Sequence, residues 1–470
     1  MHNKKIRANA SYILIAFAAI LCWVAGCCIA LYIHGARLAV CAQEVRLAPY
    51  NPAYAEYAPL LAHRAPCTDD IPPPPAIAAR AAVVMDAVSG ALLFEKNPDQ
   101  SIPPASLTKL VAIYTAMEAV ERGDIHLSDI ISPPQESWAV NMPPGSSLMF
   151  LGKNQRVSVE ELILGMSVVS GNDAAIALAI HTAGSVAAFV QQMNETVTEL
   201  GLQNTHFEEP SGLSEYNRTT ARDFARFAAA YVRKYPEHLK QFHAVRELSY
   251  PQPHNALTPQ RAIRQSATNT LLDHLEGCDG LKTGFIYESG FNIALTAQRN
   301  GVRFIAVILG GAGRNSREGK AIRETNGKAL MEWAFANFST VYAQHFPLHV
   351  PAIPVLGAKQ AADKTAFIPL LADAAGNNAA FTVFTVPLRE KNGLQQKHDD
   401  IYSRILLPTV FYAPIAAGQK IGRVQFVRQT GGDDQILAEF PLITDRAVDQ
   451  DSMLRLKYDS LAFKFRQLFR

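Results

Sequence analysis

The chain has 470 residues, of which 18% are charged and 49% are hydrophobic, and 44 basic side chains are balanced by 42 acidic ones. This length allows roughly two to four domains with sizeable cores, and the apolar content excludes wholesale disorder. A formal net charge of +2 leaves no excess of basic side chains for an extended nucleic-acid surface. We therefore expect no nucleic acid among its partners.

The cysteines and histidines do not have the spacing of a metal site. Four of the six cysteines lie in or just after the N-terminal apolar stretch, which leaves Cys67 and Cys278 for the remainder of the chain. No CxxC motif pairs with a second CxxC or with histidines at ligand spacing. The sequence therefore predicts neither a disulfide scaffold nor a structural zinc site.

The first 42 residues predict export from the cytoplasm. A basic start precedes an uncharged apolar run over residues 12–33, which is close to the ~20 residues that span a bilayer. Small residues at 40 and 42 favour cleavage before Gln43 over a retained anchor, and a lipoprotein-like box at residues 24–27 ranks third. Because the basic flank stays inside, we expect the bulk of the chain at the outer, periplasmic face of the cytoplasmic membrane.

The middle of the chain predicts a spacer followed by an α+β domain. Residues 43–77 are rich in proline, which favours an extended spacer. From Ala78, two apolar strand-like runs joined at Gly90 predict a β-hairpin. Ser158 and Glu161 have the spacing of a capping box. Helical patterns follow over residues 107–122, 159–169, 174–181 and 220–234, and strand patterns return over residues 291–298 and 302–309. Terminal strands with helices between them predict a sheet whose strands pair non-locally.

The last part of the chain has a different pattern. After about residue 341, short β-rich runs punctuated by glycine and proline predict a small β-sandwich. These runs cover residues 380–386, 422–427 and 436–440. The final residues follow the spacing of an amphipathic helix.

The apolar face of this terminal helix is opposed by basic side chains. The apolar residues are Leu454, Tyr458, Leu461, Phe465, Leu468 and Phe469, and the basic ones are Arg455, Lys457, Lys464, Arg466 and Arg470. We predict that residues 452–470 lie on an anionic membrane surface. The alternative is a helix docked on the sandwich, because Met453, Leu456 and Phe463 interrupt the polar face.

Three short motifs carry the candidate chemistry. Ser106 lies at a predicted helix start and Lys109 follows one turn later, so the pair can supply a nucleophile and its base if the amine is kept neutral. Alone, this SxxK motif is a weak signal, because a capping serine and a solvated lysine fit it as well. Ser170-Gly171-Asn172 lies between two apolar helices, and Lys282-Thr283-Gly284 opens a predicted strand. Together, in this order, the three are typical of class A β-lactamases and penicillin-binding proteins.

With these motifs the chain resembles the D-alanyl-D-alanine carboxypeptidases, which are low-molecular-mass penicillin-binding proteins, over almost its whole length. Further stretches similar to this family are residues 145–151, 170–174, 201–207, 220–223, 279–285 and 418–422. The resemblance implies an α+β serine transpeptidase domain of the penicillin-binding/β-lactamase-like kind, with an antiparallel sheet flanked by helices, then a small β-sandwich and a C-terminal amphipathic helix. The implied boundaries are 1–42 for the signal peptide or anchor, 43–77 for the spacer, 78–345 for the peptidase domain, 346–446 for the sandwich and 447–470 for the membrane-associating helix.

The resemblance also implies a reaction and its residues. The catalytic residues would be Ser106, which attacks the bond between two terminal D-alanines of a peptidoglycan stem pentapeptide, Lys109, which accepts its proton, and Ser170, which relays a proton to the leaving amine. The residues that bind the substrate would be Asn172, Lys282, Thr283, Gly284, Phe285 and Arg317. Backbone N–H groups of Ser106 and Phe285 would hold the oxyanion. The family implies no metal and no cofactor, and β-lactams would acylate the same serine.

Alternatives of the same fold remain at this point. A β-lactamase would need an added carboxylate base, and no ExxLN-like element lies between Asn172 and Lys282. An endopeptidase that cuts cross-links, and a catalytically silent wall-binding protein, are the other two. Ile286 and Asn217-Arg218 depart from the residues common in the family, so we expect an altered efficiency or substrate preference.

Overall fold

The computed structural model describes most of the chain. The described residues are 2–37, 42–45, 63–64, 71–258, 260–342, 348–351, 353–359, 369–371, 383–387, 401–430, 433–444 and 446–468. The chain divides into two compact units, one of Met1–Tyr50, Tyr342–Thr382 and Lys397–Arg470, and one of Asn51–Val341 and Val383–Gln396. Most of the predicted spacer, residues 43–77, lies outside the described residues.

The elements of regular structure are as follows. The helices are α1 His2–Arg37, α2 Thr108–Arg122, α3 Val159–Leu164, α4 Asn172–Ala183, α5 Val186–Glu199, α6 Ala221–Lys234, α7 Pro236–His238, α8 Leu271–His274, α9 Ser316–Asn337 and α10 Met453–Gln467. The strands of the larger unit are β2 His63–Arg64, β3 Ala79–Asp86, β4 Ala91–Lys96, β5 Ile130–Ile131, β6 Val157–Ser158, β7 Glu247–Tyr250, β8 Ile263–Ser266, β9 Cys278–Ile286, β10 Gly290–Arg299, β11 Val302–Gly311 and β16 Val383–Pro387, which pairs with β12 Phe338–Tyr342. The remaining strands are β1 Ala42–Val45, β13 Leu348–Pro351, β14 Val355–Leu356, β15 Pro369–Leu371, β17 Ile401–Leu406, β18 Phe411–Tyr412, β19 Lys420–Thr430 and β20 Asp433–Thr444.

A six-stranded sheet in the order β2-β4-β3-β11-β10-β9 forms the centre of the larger unit. The predicted hairpin is confirmed, since β3 and β4 pair antiparallel, Gly90 adopts a φ of 75° and the Asp86 carboxylate accepts the Val88 N–H at 2.8 Å. As predicted, the first strands pair with a late one, because β3 lies beside β11. This arrangement brings β9, which carries the KTG motif, to one edge of the sheet.

Both faces of this sheet are covered. Along β3, Val83 and Met85 belong to one buried cluster with α2 and α6, whereas Val84 belongs to a second cluster with α8 and α9. Such alternation follows from the two-residue period of a strand. The predicted α+β class, with an antiparallel sheet flanked by helices, is confirmed.

The helix that precedes the second motif changes its winding. The predicted capping box is confirmed, since Ser158 Oγ accepts the Glu161 N–H at 3.1 Å and Glu161 Oε2 accepts the Ser158 N–H at 2.8 Å. Beyond α3 the chain continues as a π-helical turn over Gly165–Val169, so the predicted helix over residues 159–169 is not one regular α-helix. Such wide turns are frequent at functional sites.

The smaller unit contains a four-stranded antiparallel sheet in the order β15-β20-β19-β17. Two of the predicted β-rich runs lie in β19 and β20, and residues 383–386 of the third lie in β16, while residues 380–382 are outside the described part. The C-terminal helix α10 is present as predicted. The sandwich and the exact domain boundaries stay predictions.

Candidate active site

Ser106 and Lys109 lie at the start of α2, as the sequence predicts. Ser106 is in the 3-10 turn Ala105–Leu107 and Lys109 is in the first helical turn that follows it. The Lys109 Nζ lies 3.1 Å from Ser106 Oγ, with the serine partly exposed and the lysine fully buried. The two groups are therefore within reach of a direct proton transfer.

Burial makes Lys109 an unusual amine. Its Nζ also donates to Asn172 Oδ1 at 2.6 Å and to the carbonyl oxygen of Ser211. Desolvation lowers the pKa of Lys109 to about 7, although the negative charges of Glu209 and Asp173 act to raise it. The amine is therefore poised to lose its proton near neutral pH, which is the condition that a general base needs.

The second motif lies at the start of α4, next to Lys109. Ser170 is buried in the left-handed region with a φ of 63°, and Asn172 is the first residue of α4. For a residue other than glycine this backbone conformation is strained, and such strain concentrates at active sites. At the start of α4, Asn172 contacts Lys109 directly. Among the described contacts, no hydrogen bond joins Ser170 to Ser106.

Asp173, for which the sequence analysis assigned no role, fixes the position of this motif. Its carboxylate accepts the N–H groups of Met149, Phe150 and Leu151 at 2.8, 2.8 and 3.0 Å. A Cβ at Gly171 would lie 2.8 Å from Asp173 Oδ1, which accounts for glycine there. Burial raises the pKa of Asp173 although these hydrogen bonds oppose the shift. The segment of residues 145–151 is thereby held against the start of α4.

The KTG motif lies in the middle of β9 and not at its start. Lys282 and Thr283 are buried, and Lys282 Nζ donates to the Thr283 carbonyl oxygen at 3.0 Å. A Cβ at Gly284 would lie 3.0 Å from both the Pro104 carbonyl oxygen and the Ser106 nitrogen. A side chain at this position would crowd the backbone at Ser106, so the glycine lets the edge strand pass close to the nucleophile.

A second buried basic residue, Arg323, acts on Lys282 through its charge. Desolvation, together with the charges of Lys109 and Arg323, lowers the pKa of Lys282 well below its usual range. Arg323 extends from α9, and burial lowers its pKa to about 10. With a pKa of about 10, Arg323 keeps its positive charge at neutral pH, and a buried positive charge beside Lys282 suits an anionic ligand.

An aromatic contact connects the KTG strand with the first turn of α9, which carries Arg317. The ring of Phe285 is 40% exposed and stacks on Phe291 with centroids 4.5 Å apart. A Cβ at Gly319, in the first turn of α9, would overlap the Phe291 ring, so this turn packs on that ring. Arg317 is exposed in the same turn, and within the described contacts no hydrogen bond ties it to the motif residues. The structure thus places Arg317 in a turn that packs on β10, the neighbour of the KTG strand β9, and no described hydrogen bond fixes its side chain.

Asn217, one of the departures noted above, is a buried tether of the site. Its side chain accepts the Glu208 N–H at 2.7 Å and donates to Thr108 Oγ1 at 3.2 Å and to the Glu209 carbonyl oxygen at 3.0 Å. The Glu209 carboxylate in turn accepts the Ser211 N–H at 2.7 Å. Asn217 therefore holds the loop whose Ser211 carbonyl receives Lys109.

Replacing Asn217 by alanine is expected to lower the free energy of unfolding by about 2–3 kcal/mol, because buried partners lose their hydrogen bonds. Acylation by benzylpenicillin should slow as well, since the Ser211 carbonyl is no longer fixed. Urea unfolding and the rate of adduct formation measure the two effects. Glu215→Ala, an exposed change in the same loop, is the control and should alter neither. An unchanged stability in Asn217→Ala would contradict the tether.

Comparisons with known proteins agree with this geometry. The model of the D-alanyl-D-alanine carboxypeptidase family, Peptidase_S11, matches residues 68–313. D-alanyl-D-alanine carboxypeptidase DacA of Haemophilus influenzae is 33% identical over 400 residues, which cover 84% of this chain and 92% of that protein. DacD of Salmonella typhimurium is 34% identical over 385 residues, covering 81% and 89%.

A solved structure extends the likeness to the fold. Penicillin-binding protein 5 from Haemophilus influenzae superposes with a TM-score of 0.66 at 32% identity, covering 81% of this chain and 100% of that one. The family model, these relatives and the Ser106–Lys109 geometry agree. The chain belongs to the D-alanyl-D-alanine carboxypeptidase family of serine peptidases.

Proposed function

We propose that this chain removes the terminal D-alanine from peptidoglycan stem pentapeptides through an acyl-enzyme on Ser106. The observation that carries the proposal is the 3.1 Å contact between Ser106 and a buried Lys109 whose pKa is about 7. A hydroxyl is inert as a nucleophile until a base takes its proton, and here the base is neutral for a large fraction of the time. Family membership supports the same reaction.

Acylation transfers the acyl group of the substrate from D-alanine to Ser106. Ser106 Oγ bonds to the carbonyl carbon of the penultimate D-alanine while its proton passes to Lys109 Nζ. The C–N bond then breaks as the proton held by Lys109 passes through the Ser170 hydroxyl to the leaving amine, so that free D-alanine departs and Lys109 is neutral again. Water hydrolyses the ester and restores Ser106.

Groups around Ser106 bind the oxyanion and the terminal carboxylate of the substrate in this reaction. Backbone N–H groups of Ser106 and Phe285 hold the oxyanion, and one such donor contributes ~2.7–4 kcal/mol to lowering a barrier. Thr283 and Arg317 bind the terminal carboxylate, since a guanidinium can donate two parallel hydrogen bonds to it. Arg317 is exposed, which leaves its side chain available to the ligand.

Two further residues shape the pocket. The amide of Asn172, which already contacts Lys109, holds the substrate amide. Lys282 sets the field around the nucleophile, and Gly284 lets β9 lie close to the backbone of Ser106. β-lactams place a reactive carbonyl and a carboxylate in the same pocket, so they acylate Ser106 too.

The β-lactamase alternative requires a carboxylate free to activate water. The two carboxylates whose charges reach Lys109 are Glu209 and Asp173, and both accept backbone N–H groups that fix loops. Their hydrogen bonds favour a structural role. A slow release of the acyl group is therefore expected, which favours the carboxypeptidase.

The test is the intact mass of the detergent-solubilised chain followed over time. One sample receives benzylpenicillin and another receives a peptide that ends in D-Ala-D-Ala. A lasting penicilloyl adduct together with loss of one D-alanine supports the proposal. Fast penicillin turnover with an untouched peptide indicates a β-lactamase, and no adduct with an untouched peptide indicates a silent binding protein. Cleavage of a cross-linked dimeric peptide in preference to the pentapeptide indicates an endopeptidase.

We propose that the enzyme is located at the outer face of the cytoplasmic membrane, with α10 on the lipid surface. Leu454, Leu461 and Leu468 are 80%, 55% and 79% exposed on one side of α10. On another side, a Cβ at Gly357 would lie 2.7 Å from Leu456 Cδ1. Leu456, which interrupts the predicted polar face, therefore packs on the protein, and this supports an apolar face left for lipid.

A synthetic peptide of residues 450–470 tests this surface with anionic phospholipid vesicles. Leu461→Glu is expected to reduce the bound fraction several-fold, because it buries a charge in the lipid boundary. Gln467→Glu adds the same charge on the polar side and is the control, with a much smaller loss. Equal losses in the two peptides, or no binding by the parent, would contradict the lipid-facing side.

A further inference from the structure

The N-terminal helix α1 is built like a membrane span. Ala16–Gly35 is long and apolar enough to cross a bilayer, since 20 helical residues extend over ~30 Å. Within this stretch, large apolar side chains are exposed, including Phe17, Trp23 and Ile29 at 63%, 72% and 60%. Most of the stretch is therefore left for a lipid environment.

The end of α1 makes a specific contact with α10. His34 Nε2 lies 2.7 Å from Asp459 Oδ1, and the His34 and Tyr458 rings lie with centroids 4.9 Å apart. Arg466 donates to the Gly35 carbonyl oxygen at 3.1 Å. A Cβ at Gly35 would overlap the Ala462 carbonyl oxygen, so the two helices approach closely here.

Asp459 makes this contact energetically significant. The residue is fully buried, and its other carboxylate oxygen accepts the Gly357 N–H at 3.0 Å. A buried carboxylate is costly unless it is paired, and Oδ1 has two partners, His34 from α1 and the Arg455 guanidinium of α10, whose Nε lies 3.2 Å away. Removal of residues 1–42 would take away His34 and Gly35 together.

The residues of α10 that contact α1 and the exposed leucines of α10 lie on different sides of the helix. At 100° per residue, Asp459, Ala462 and Arg466 lie on one side, toward α1, and the exposed Leu454 and Leu461 lie on an adjacent side. Docking of α1 therefore leaves the lipid-facing side of α10 uncovered. The cleavage that the sequence predicts would fall between Ala42 and Gln43. These are the first two residues of β1, which pairs with β13.

We propose that α1 is retained in the mature protein as a membrane anchor, and that its outer end docks onto α10 through His34 and Gly35. The enzyme is then held by one helix that crosses the membrane and by a second that lies on it, with Asp459 joining the two. This inference rests on the exported location proposed above and does not depend on peptidase activity. Both readouts below are independent of catalysis.

The first experiment tests retention. The full chain is produced in a bacterial host with its own N-terminus and a C-terminal tag, extracted from membranes with detergent and weighed by intact mass spectrometry. The expected mass contains residues 1–42 in the great majority of molecules. A mature chain that starts at Gln43, or elsewhere beyond Gly35, overturns the proposal.

The second experiment tests docking with two matched substitutions in the same helix. Gly35→Leu places a side chain against Ala462, whereas Gly26→Leu has nothing within 4 Å of its Cβ and is the control. Hydrogen exchange of the full chain in lipid nanodiscs should be about 10-fold faster at the α10 amides in Gly35→Leu, because loss of docking opens the helix locally. Gly26→Leu should match the parent.

A parent-like circular dichroism spectrum and thermal unfolding midpoint show that both variants are folded. Equal α10 exchange in Gly35→Leu and Gly26→Leu overturns the docking even if the N-terminus is retained. His34→Ala provides a second variant that adds no bulk, and it should also accelerate exchange at the α10 amides. No acceleration in His34→Ala contradicts the pairing with Asp459.

Discussion

Ser106→Ala is expected to abolish the covalent penicilloyl adduct and to reduce release of D-alanine by at least about 10⁴-fold, the scale seen when a serine peptidase loses its nucleophile. The reason is geometric, since Ser106 Oγ is the hydroxyl 3.1 Å from the buried amine of Lys109. Within the described contacts, no other hydroxyl donates to or accepts from that Nζ.

The binding pocket should survive this substitution. Ser106 is in a turn whose backbone N–H remains in Ser106→Ala, and Lys282, Thr283 and Gly284 are unaffected. Non-covalent binding of the peptide, measured by calorimetry, should therefore stay within a few-fold of the parent. Ser101→Ala changes an exposed serine five residues earlier and should retain full activity. A covalent adduct in Ser106→Ala would show that another residue is the nucleophile.

Local signals predicted the reactive pair well. Ser106 and Lys109 are three residues apart at a helix start, so their contact follows from helix geometry alone. The capping box at Ser158 and the hairpin turn at Gly90 are equally local, and both were confirmed. A pattern of this kind is complete within a few residues of sequence.

The supporting residues could not be predicted in the same way. Asp173 accepts the Met149 N–H from 24 residues away, and Asn217 donates to Thr108 from 109 residues away. No periodicity or spacing encodes such a contact, because it exists only after the chain has folded. Asn217 was noted as a departure from the family, and the structure shows why that position matters.

The terminal helix shows the same limit. Leu456 and Phe463 interrupted the predicted polar face of α10, and the sequence alone could not say what they contact. In the structure Leu456 packs on Gly357, while Leu454 and Leu461 stay exposed. A two-sided pattern was predicted, whereas the structure adds a third side, because the helix packs on protein at Leu456 besides having an exposed apolar side and a basic side.

Lys109→Met is expected to slow acylation by about 10²–10⁴-fold, the range that general-base catalysis supplies. Methionine fills a similar volume and cannot accept the Ser106 proton. The pH dependence carries further information, because the neutral amine is the active form. With a pKa of about 7, lowered by burial, the acylation rate of the parent should rise as pH increases through 7 and level off above it.

In Lys109→Met this rise near pH 7 should disappear, leaving a slow rate with little dependence on pH. Stopped-flow acylation by a chromogenic β-lactam between pH 5 and 9 measures both rate and profile. Lys153→Met alters an exposed lysine and should keep the parent profile. If the inflection near pH 7 persisted in Lys109→Met, a different group would be the base. Lys282, whose pKa is also lowered by burial, would then be the next residue to replace.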